Sequence, residues 1–421
     1  DIDLNFKNFD ESNLKINIQK VSNDTYLRVH NISSDLIDSN TVMKSSVELN
    51  LLKRDSSFDV NMYAYENLNK TNNRYEYVIP SYTYKNKLFY SDKIGEFNFV
   101  SAGSYKKFET NKDETIIIND INWNSNEYIS NNGVLTKLEG NIKNSNHKAD
   151  QSSTLKTNNY EIAGAISLTS SLPLEKTSGN IKKILTPKLM LRSAPLHMRN
   201  VNNSELRLDT SNLFFLNKMS ESDVVEKGTS LTLGTNYTYW NKKNNFDTLN
   251  LSLGQVYNLE ENLDKPSQSS LDQKTSELVG EIDYKLNENN EMSYKFSLDH
   301  NYKELNYSEI SGKFGISKFF ADFEYVEENN FIGNNNYVEA GLSLELNKYN
   351  SLNFSTRKNF ATDMTEFYKY SYQYENDCLR AAIQYNRKFY SDRDLEPSDD
   401  IMLTLTIIPF GKLRSPNITG Y

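Results

Sequence analysis

The sequence predicts an all-β fold: a large antiparallel sheet rolled into a transmembrane β-barrel, with no significant helix. Three observations carry that expectation. Apolar and polar residues alternate over segments of about ten residues, and a two-residue period sorts side chains onto opposite faces of a sheet. Only 37% of the chain is hydrophobic, below the about 45–50% usual for a packed globular protein. The aromatics are nevertheless abundant and skewed, with 28 Tyr and 21 Phe against 2 Trp. Tyr suits the border between an apolar exterior and a wet interior. Alternation by itself also permits a two-sheet sandwich. Low apolar content favours the barrel, because only one face of each strand has to be greasy. Disorder would not produce phased alternation.

About 21 strand-like segments follow one another, roughly one per 20 residues. Asp1–Phe9, Leu14–Val21, Thr41–Leu52, Phe58–Glu66 and Tyr75–Lys87 come first. Phe97–Phe108, Glu114–Trp123, Leu135–Lys143, Tyr160–Leu172 and Ile181–Arg192 continue the series. Thr229–Trp240 carries Leu231, Leu233, Tyr237 and Tyr239 on one beat. Thr248–Tyr257 sets Leu249, Leu251 and Leu253 against Asn250, Ser252 and Gly254. Glu277–Leu286 and Met292–Tyr302 flank the polar turn Asn287–Asn290. Tyr307–Phe320 and Ala321–Glu327 precede Tyr337–Leu346, where Val338, Ala340, Leu342, Leu344 and Leu346 alternate with Glu339 and Glu345. Leu352–Phe360, Thr365–Tyr374, Leu379–Tyr390 and Ile401–Ile408 complete the set. Pro80, Pro187 and Pro409 lie in or beside strand pattern, and each removes a ladder donor, as at a strand end, bulge or edge.

Most connections are short, but His197–Lys227 and Leu259–Lys274 are long. Alternating short and long connections fit a membrane barrel with short inner turns and long outer loops. The longest apolar run, Ile401–Phe410, includes two threonines and a proline and falls short of the ~18 residues of a membrane helix. A formal net charge of −9, with cations spread along the chain, makes nucleic acid an unsuitable partner. His30, His147, His197 and His300 are far apart and form no metal-binding or nucleophile motif, so neither metal nor cofactor is expected. Carboxylates are too numerous for any pair to signal hydrolysis. The single cysteine, Cys378, has no partner within the chain.

Three stretches are recognisable. Val21–Ser22–Asn23–Asp24–Thr25–Tyr26–Leu27–Arg28 is followed by Ile32–Ser33–Ser34. The long connection holds Leu208–Asp209–Thr210–Ser211–Asn212–Leu213–Phe214 and Leu216–Asn217–Lys218–Met219–Ser220. It runs on through Asp223–Val224–Val225–Glu226–Lys227–Gly228–Thr229, and Leu253–Gly254–Gln255–Val256–Tyr257 lies in the next strand. The third is Asp377–Cys378–Leu379–Arg380, then Tyr385–Asn386–Arg387–Lys388–Phe389–Tyr390 and Asp392–Arg393–Asp394–Leu395–Glu396–Pro397. Together they resemble the barrel domain of the lipopolysaccharide-assembly outer-membrane family, LptD, over nearly the whole chain. A departure is Lys218–Met219–Ser220–Glu221, where an Arg-Phe-Ser-Gly-type run is common in the family.

The resemblance implies a barrel of about 26 strands in the bacterial outer membrane that inserts lipopolysaccharide into the outer leaflet. It implies a lipoprotein plug (LptE) and a periplasmic bridge reached through an N-terminal jelly-roll domain, here missing. Residues 1–411 would be the barrel, lacking its first strands, and 412–421 a tail. Lipid would leave sideways between first and last strands. One lip is then Ile401–Ile408, with Ile401, Leu403, Leu405 and Ile407 facing lipid, Thr404 and Thr406 facing the lumen, and Pro409 weakening the end. Asp209, Asn212, Leu213, Phe214, Asp223, Glu226 and Gly228 fall in an outer loop. Cys378 matches the position of a disulfide that ties barrel to jelly roll. The alternative is another outer-membrane barrel, a porin or plugged transporter; an enzyme is not expected.

Overall fold

The computed structural model describes residues 2–29, 39–109, 112–150, 158–243, 247–329, 335–389, 397–408, 411–414 and 418–419. Their strands join in one antiparallel sheet of 25 segments, and the helical content is a single turn, Tyr26–Val29. The first segments are β1 (Ile2–Asp3), β2 (Glu11–Asn17), β3 (Val42–Lys53), β4 (Ser56–Asn67), β5 (Tyr75–Ser91) and β6 (Gly95–Phe108). Next come β7 (Lys112–Asn124), β8 (Tyr128–Ile129), β9 (Leu135–Asp150), β10 (Asn159–Ser171), β11 (Leu174–Ser178) and β12 (Ile181–Ala194). The middle holds β13 (Gly228–Asn241), β14 (Asp247–Asn258), β15 (Leu278–Asn287), β16 (Asn290–Leu298), β17 (Leu305–Ile316) and β18 (Phe319–Glu328). The last are β19 (Asn336–Asn347), β20 (Asn350–Asn359), β21 (Met364–Glu375), β22 (Leu379–Lys388), β23 (Ser398–Ile407), β24 (Gly411–Arg414) and β25 (Ile418–Thr419).

Each strand pairs with its sequence neighbours, as a meander must when connections are short. Three wall positions are interrupted. Both β7 and β8 pair with β9, both β10 and β11 with β12, and both β24 and β25 with β23. The second break has a visible cause in Pro173, which has no N–H to donate. Pro187 faces that break from inside β12, and its carbonyl accepts from the Leu172 N–H at 3.1 Å. Pro80 sits where the β5 register shifts between Val78 and Ser81, so it occupies a bulge. Pro409 lies outside the described residues.

Connections differ between the two rims. The β3–β4, β15–β16, β17–β18 and β19–β20 turns each leave two residues between strands, all at one rim. The long segments 195–227 and 259–277 leave from the other rim. Faces alternate in the middle of the wall. Leu233, Leu253 and Ile282 are exposed on the outside, whereas Thr232, Val256 and Val279 are buried on the inside. The outer face therefore reads as an apolar band, and the inner face as a polar lumen. Rings mark the short-turn rim: Phe89, Phe97 and Trp123 stack at centroid spacings of 4.6 and 6.1 Å.

Two expectations are corrected. Asp1–Phe9 is not one strand: only Ile2–Asp3 pairs, because Asn5 adopts φ 51° and the chain turns there. The segment after residue 411 is not a bare tail. Gly411–Arg414 pairs with Thr404–Ile407, and Ile418–Thr419 pairs with Asp400–Ile401. β23 is thus flanked on both sides, and β24 with β25 form the outermost position at that end. Among the described residues, this edge and that of β1 are not paired to each other.

Candidate translocation path and its cap

The inner faces of β15 to β19 carry the polar partners of the outer leucines. Asp283, Glu291, Ser293, Lys313, Asp322, Glu324 and Glu339 line a cavity of about 610 Å3. Lys313 holds Glu291 at 3.0 Å, and Lys295 holds Glu309 at 3.2 Å. Such a surface is wet and charged on both signs, suited to a hydrophilic passenger. Ser293 Oγ donates to Asp283 Oδ1 at 2.7 Å within it, and no group of three metal-ligating side chains occurs among the described residues.

The segment 195–227 does not stand away from the barrel; it folds inward along the wall. Its turn is built by Asp209, whose Oδ1 accepts from the N–H groups of Ser211 and Asn212 at 2.8 and 3.0 Å. Asn212 closes the same turn, donating from Nδ2 to the Arg207 carbonyl at 2.8 Å. The turn delivers Leu213 and Phe214 to the inner faces of β14 and β13. Two glycines receive them, Gly254 and Gly234, which are directly paired in register. A Cβ at Gly254 would lie 2.2 Å from Leu213 Cδ2, and one at Gly234 would lie 2.9 Å from Phe214 Cζ. Only a residue without Cβ permits that approach.

Around this contact lies the largest apolar cluster of the molecule's described part. Met198, Val201, Leu206, Leu208, Leu213, Met219 and Val224 come from the first loop, Leu271 from the second, and Val256 and Val279 from the wall. Charged anchors spread the same loop across the interior. Asp223 meets His147 of β9 at 3.3 Å and the forked guanidinium of Arg199 at 2.7 and 2.9 Å. Burial would push the Asp223 carboxyl up, but Arg199 outweighs it and holds the group below the usual range. At the far end Arg207 bonds Glu328 of β18 and stacks 4.0 Å over the Tyr307 ring.

Glu226 is the most heavily loaded anchor. Its side chain is fully buried, and three cations converge on it: Lys265 at 3.1 Å, Lys218 at 3.6 Å and Arg192 at 3.9 Å. Desolvation opposes its charge, yet Lys218, Arg192 and Lys265 keep it ionised far below the ordinary glutamate range. Lys218 is the least satisfied of the three, and burial pushes its ammonium down. Arg192 also donates to the carbonyls of Leu216, Glu226 and Gly228. Gly228 starts β13 at φ +114°, a conformation that favours glycine.

The expected loop residues Asp209, Asn212, Leu213, Phe214, Asp223, Glu226 and Gly228 are therefore brought together as one cap. Sequence reasoning missed Arg192, Lys265, His147 and the two receiving glycines. On β23, Ile401, Leu403, Leu405 and Ile407 are exposed on one face, while Thr404 and Thr406 are half-buried on the other. Cys378 is a free, exposed thiol in the three-residue turn between β21 and β22, at the short-turn rim. Its N–H donates to Asn376 Oδ1 at 3.0 Å.

A single antiparallel wall with an apolar outside, a wet inside and one long-looped rim defines an outer-membrane β-barrel. Residues 3–364 match the model of the family LptD, described as LPS transport system D. The chain belongs to that family: it is a lipopolysaccharide-transport barrel of the bacterial outer membrane. It is similar to a ferric enterobactin receptor (PfeA) of Pseudomonas aeruginosa, at 9% identity and TM-score 0.37 over 87% of this chain and 70% of that one. It is similar to the siderophore receptor PirA of Acinetobacter baumannii, at 8% identity and TM-score 0.41 over 88% and 72%. A porin of Rh. blastica matches at 10% identity and TM-score 0.28 over 63% and 87%. No curated protein matches the sequence.

Proposed function

We propose that the barrel releases lipopolysaccharide sideways. The glycan crosses in the polar lumen while the acyl chains leave through a seam at the β23–β25 edge. The observation that supports this is the taper of the hydrogen-bond ladder. β12 and β13 share fourteen paired residues, whereas β24 offers four and β25 two. In hydrocarbon each unpaired backbone group costs several kcal/mol, so a barrel opens where fewest bonds must break. The exposed row Ile401, Leu403, Leu405 and Ile407 would guide acyl chains there.

A lipoprotein plug (LptE) filling the lumen, and an N-terminal jelly-roll domain linking the barrel to a periplasmic bridge, complete the proposal. Cys378 suits the second of these, because its rim carries the short turns and an exposed thiol there can meet a periplasmic domain. The test is photo-crosslinking in the full-length protein. A photoreactive residue at Leu403 or Leu405 should capture lipopolysaccharide strongly, and one at the remote outward position Ile282 should not. Equal capture at all three positions would remove the seam.

A further inference from the structure

We infer that Glu226 is a latch that locks the two long outer loops into one lid over the lumen, which opens as a unit. The purpose given to the lid rests on the transport reading above; the latch itself rests on geometry. The three cations come from three separate parts of the chain. Arg192 belongs to wall strand β12, Lys218 to segment 195–227 and Lys265 to segment 259–277. Each is buried, and among the described residues Glu226 is the carboxylate each one meets. One side chain therefore faces a cation from the wall and one from each loop at the same time. Removing it leaves like charges facing one another in a medium of low dielectric, where unpaired charge is most costly.

The wall beneath the latch makes opening easier than closure alone would suggest. Ser167 and Ser230 flank Arg192 on neighbouring strands, and Thr232 follows two residues along. Their hydroxyls and Glu226 Oε2 are buried without a hydrogen-bond partner. Lifting the lid exposes these hydroxyls to bulk water, which lowers the cost of opening. The closed lid is held by this ionic convergence, by the seat of Leu213 on Gly254, and by bonds to the wall from Arg192 to the Leu216 and Glu226 carbonyls and from His147 to Asp223.

The test uses the full-length protein with its lipoprotein partner in lipid bilayers. Glu226→Gln keeps the shape and removes the charge. Amide exchange in 195–227 and 259–277 should accelerate together, by at least tenfold, and ion conductance should rise. Adding Lys218→Met and Lys265→Met to Glu226→Gln removes the stranded ammonium groups and should restore slow exchange in both loops. Retention of heat-modifiable migration on gels certifies a folded barrel. Acceleration confined to one loop, or unchanged exchange in a folded Glu226→Gln barrel, would overturn the latch. If Glu226→Gln fails to fold, the triple variant decides: fast exchange there sinks the inference, slow exchange supports it. None of these readouts needs lipopolysaccharide, so a failed export assay would count against the transport reading alone.

Discussion

Gly254 offers the sharpest test of where the cap sits. An added Cβ would stand 2.2 Å from Leu213 Cδ2, where ordinary contact begins at 3.4 Å. Leu213 must therefore retreat by more than an ångström. The same Cβ would lie 3.0 Å from the Leu233 carbonyl, so the ladder beside it must yield by a few tenths. Overpacking of this kind costs about 1–3 kcal/mol. Most of that should fall on the seat of segment 195–227, since the wall at this point is paired on both sides. Gly254→Ala should accordingly speed amide exchange around Leu213 by about 5- to 150-fold, the equivalent of about 1–3 kcal/mol. Leu213→Ala alone loses burial and is also harmful. Combined with Gly254→Ala, it should cost less than the sum of the two by at least about 1 kcal/mol, because the clash it relieves is gone. Additive effects would refute the close seating of Leu213 on Gly254. So would an exchange pattern in which the wall strands loosen while the loop does not.

Other substitutions read other parts of the structure. Leu405→Arg places a cation on the exposed apolar face of β23 and should cost about 2–4 kcal/mol at mid-membrane, read as lost folding yield in bilayers; Thr404→Arg should be far milder, and the reverse order would invert the facing. Cys378→Ser in the full-length protein should abolish a mobility difference between reduced and non-reduced gels; identical migration of the wild type in both would remove the disulfide. The Glu226 carboxyl is depressed in the folded state, so its contribution is fully present above the unfolded value of about 4.3 and is lost only as pH falls through the much lower folded value. Cap protection should then hold from neutral pH down to about 4.5. Arg192, Lys218 and Lys265 are the charged groups that face it, and a His147→Gln background removes the imidazole beside Asp223. A collapse between pH 6 and 5 in that background would contradict the assignment.

The wall was legible because a two-residue period survives any context. Leu249, Leu251 and Leu253 advertise their face, and β14 turns that row to the outside, with Leu253 exposed and Leu249 and Leu251 half-buried. Bounds failed where a local conformation intervened, as at Asn5, whose left-handed backbone no apolar count reveals. The cap was legible only as a recognisable stretch. Its contacts join residues far apart in the chain: Arg207 to Glu328, Asp223 to His147, Lys265 to Glu226. No spacing rule links such positions, because they meet through the curvature of the sheet. Gly254 looked like one more polar-face residue opposite its leucines. Its role depends on Phe214 and Leu213 arriving from another loop.

That dependence explains why charge, rather than grease alone, fastens the cap. An apolar seat such as Leu213 on Gly254 is non-directional and tolerates sliding, so it cannot by itself set how two loops meet. A carboxylate bound by cations from the wall and from both loops fixes all three at one point. The cost is severe desolvation, visible in the lowered ammonium of Lys218 and in the partnerless oxygens around Arg192. A lid meant only to stay shut would gain stability by replacing the group with packed hydrocarbon. A buried convergence that is expensive to form and quickly rehydrated when broken suits a lid that must let a large hydrophilic chain pass and then close in the same register. It follows that replacing Glu226, Lys218 and Lys265 together by Leu or Met should give a barrel more resistant to heat yet slower in delivering lipopolysaccharide to the cell surface. Equal resistance with undiminished delivery would show that the charges set neither property.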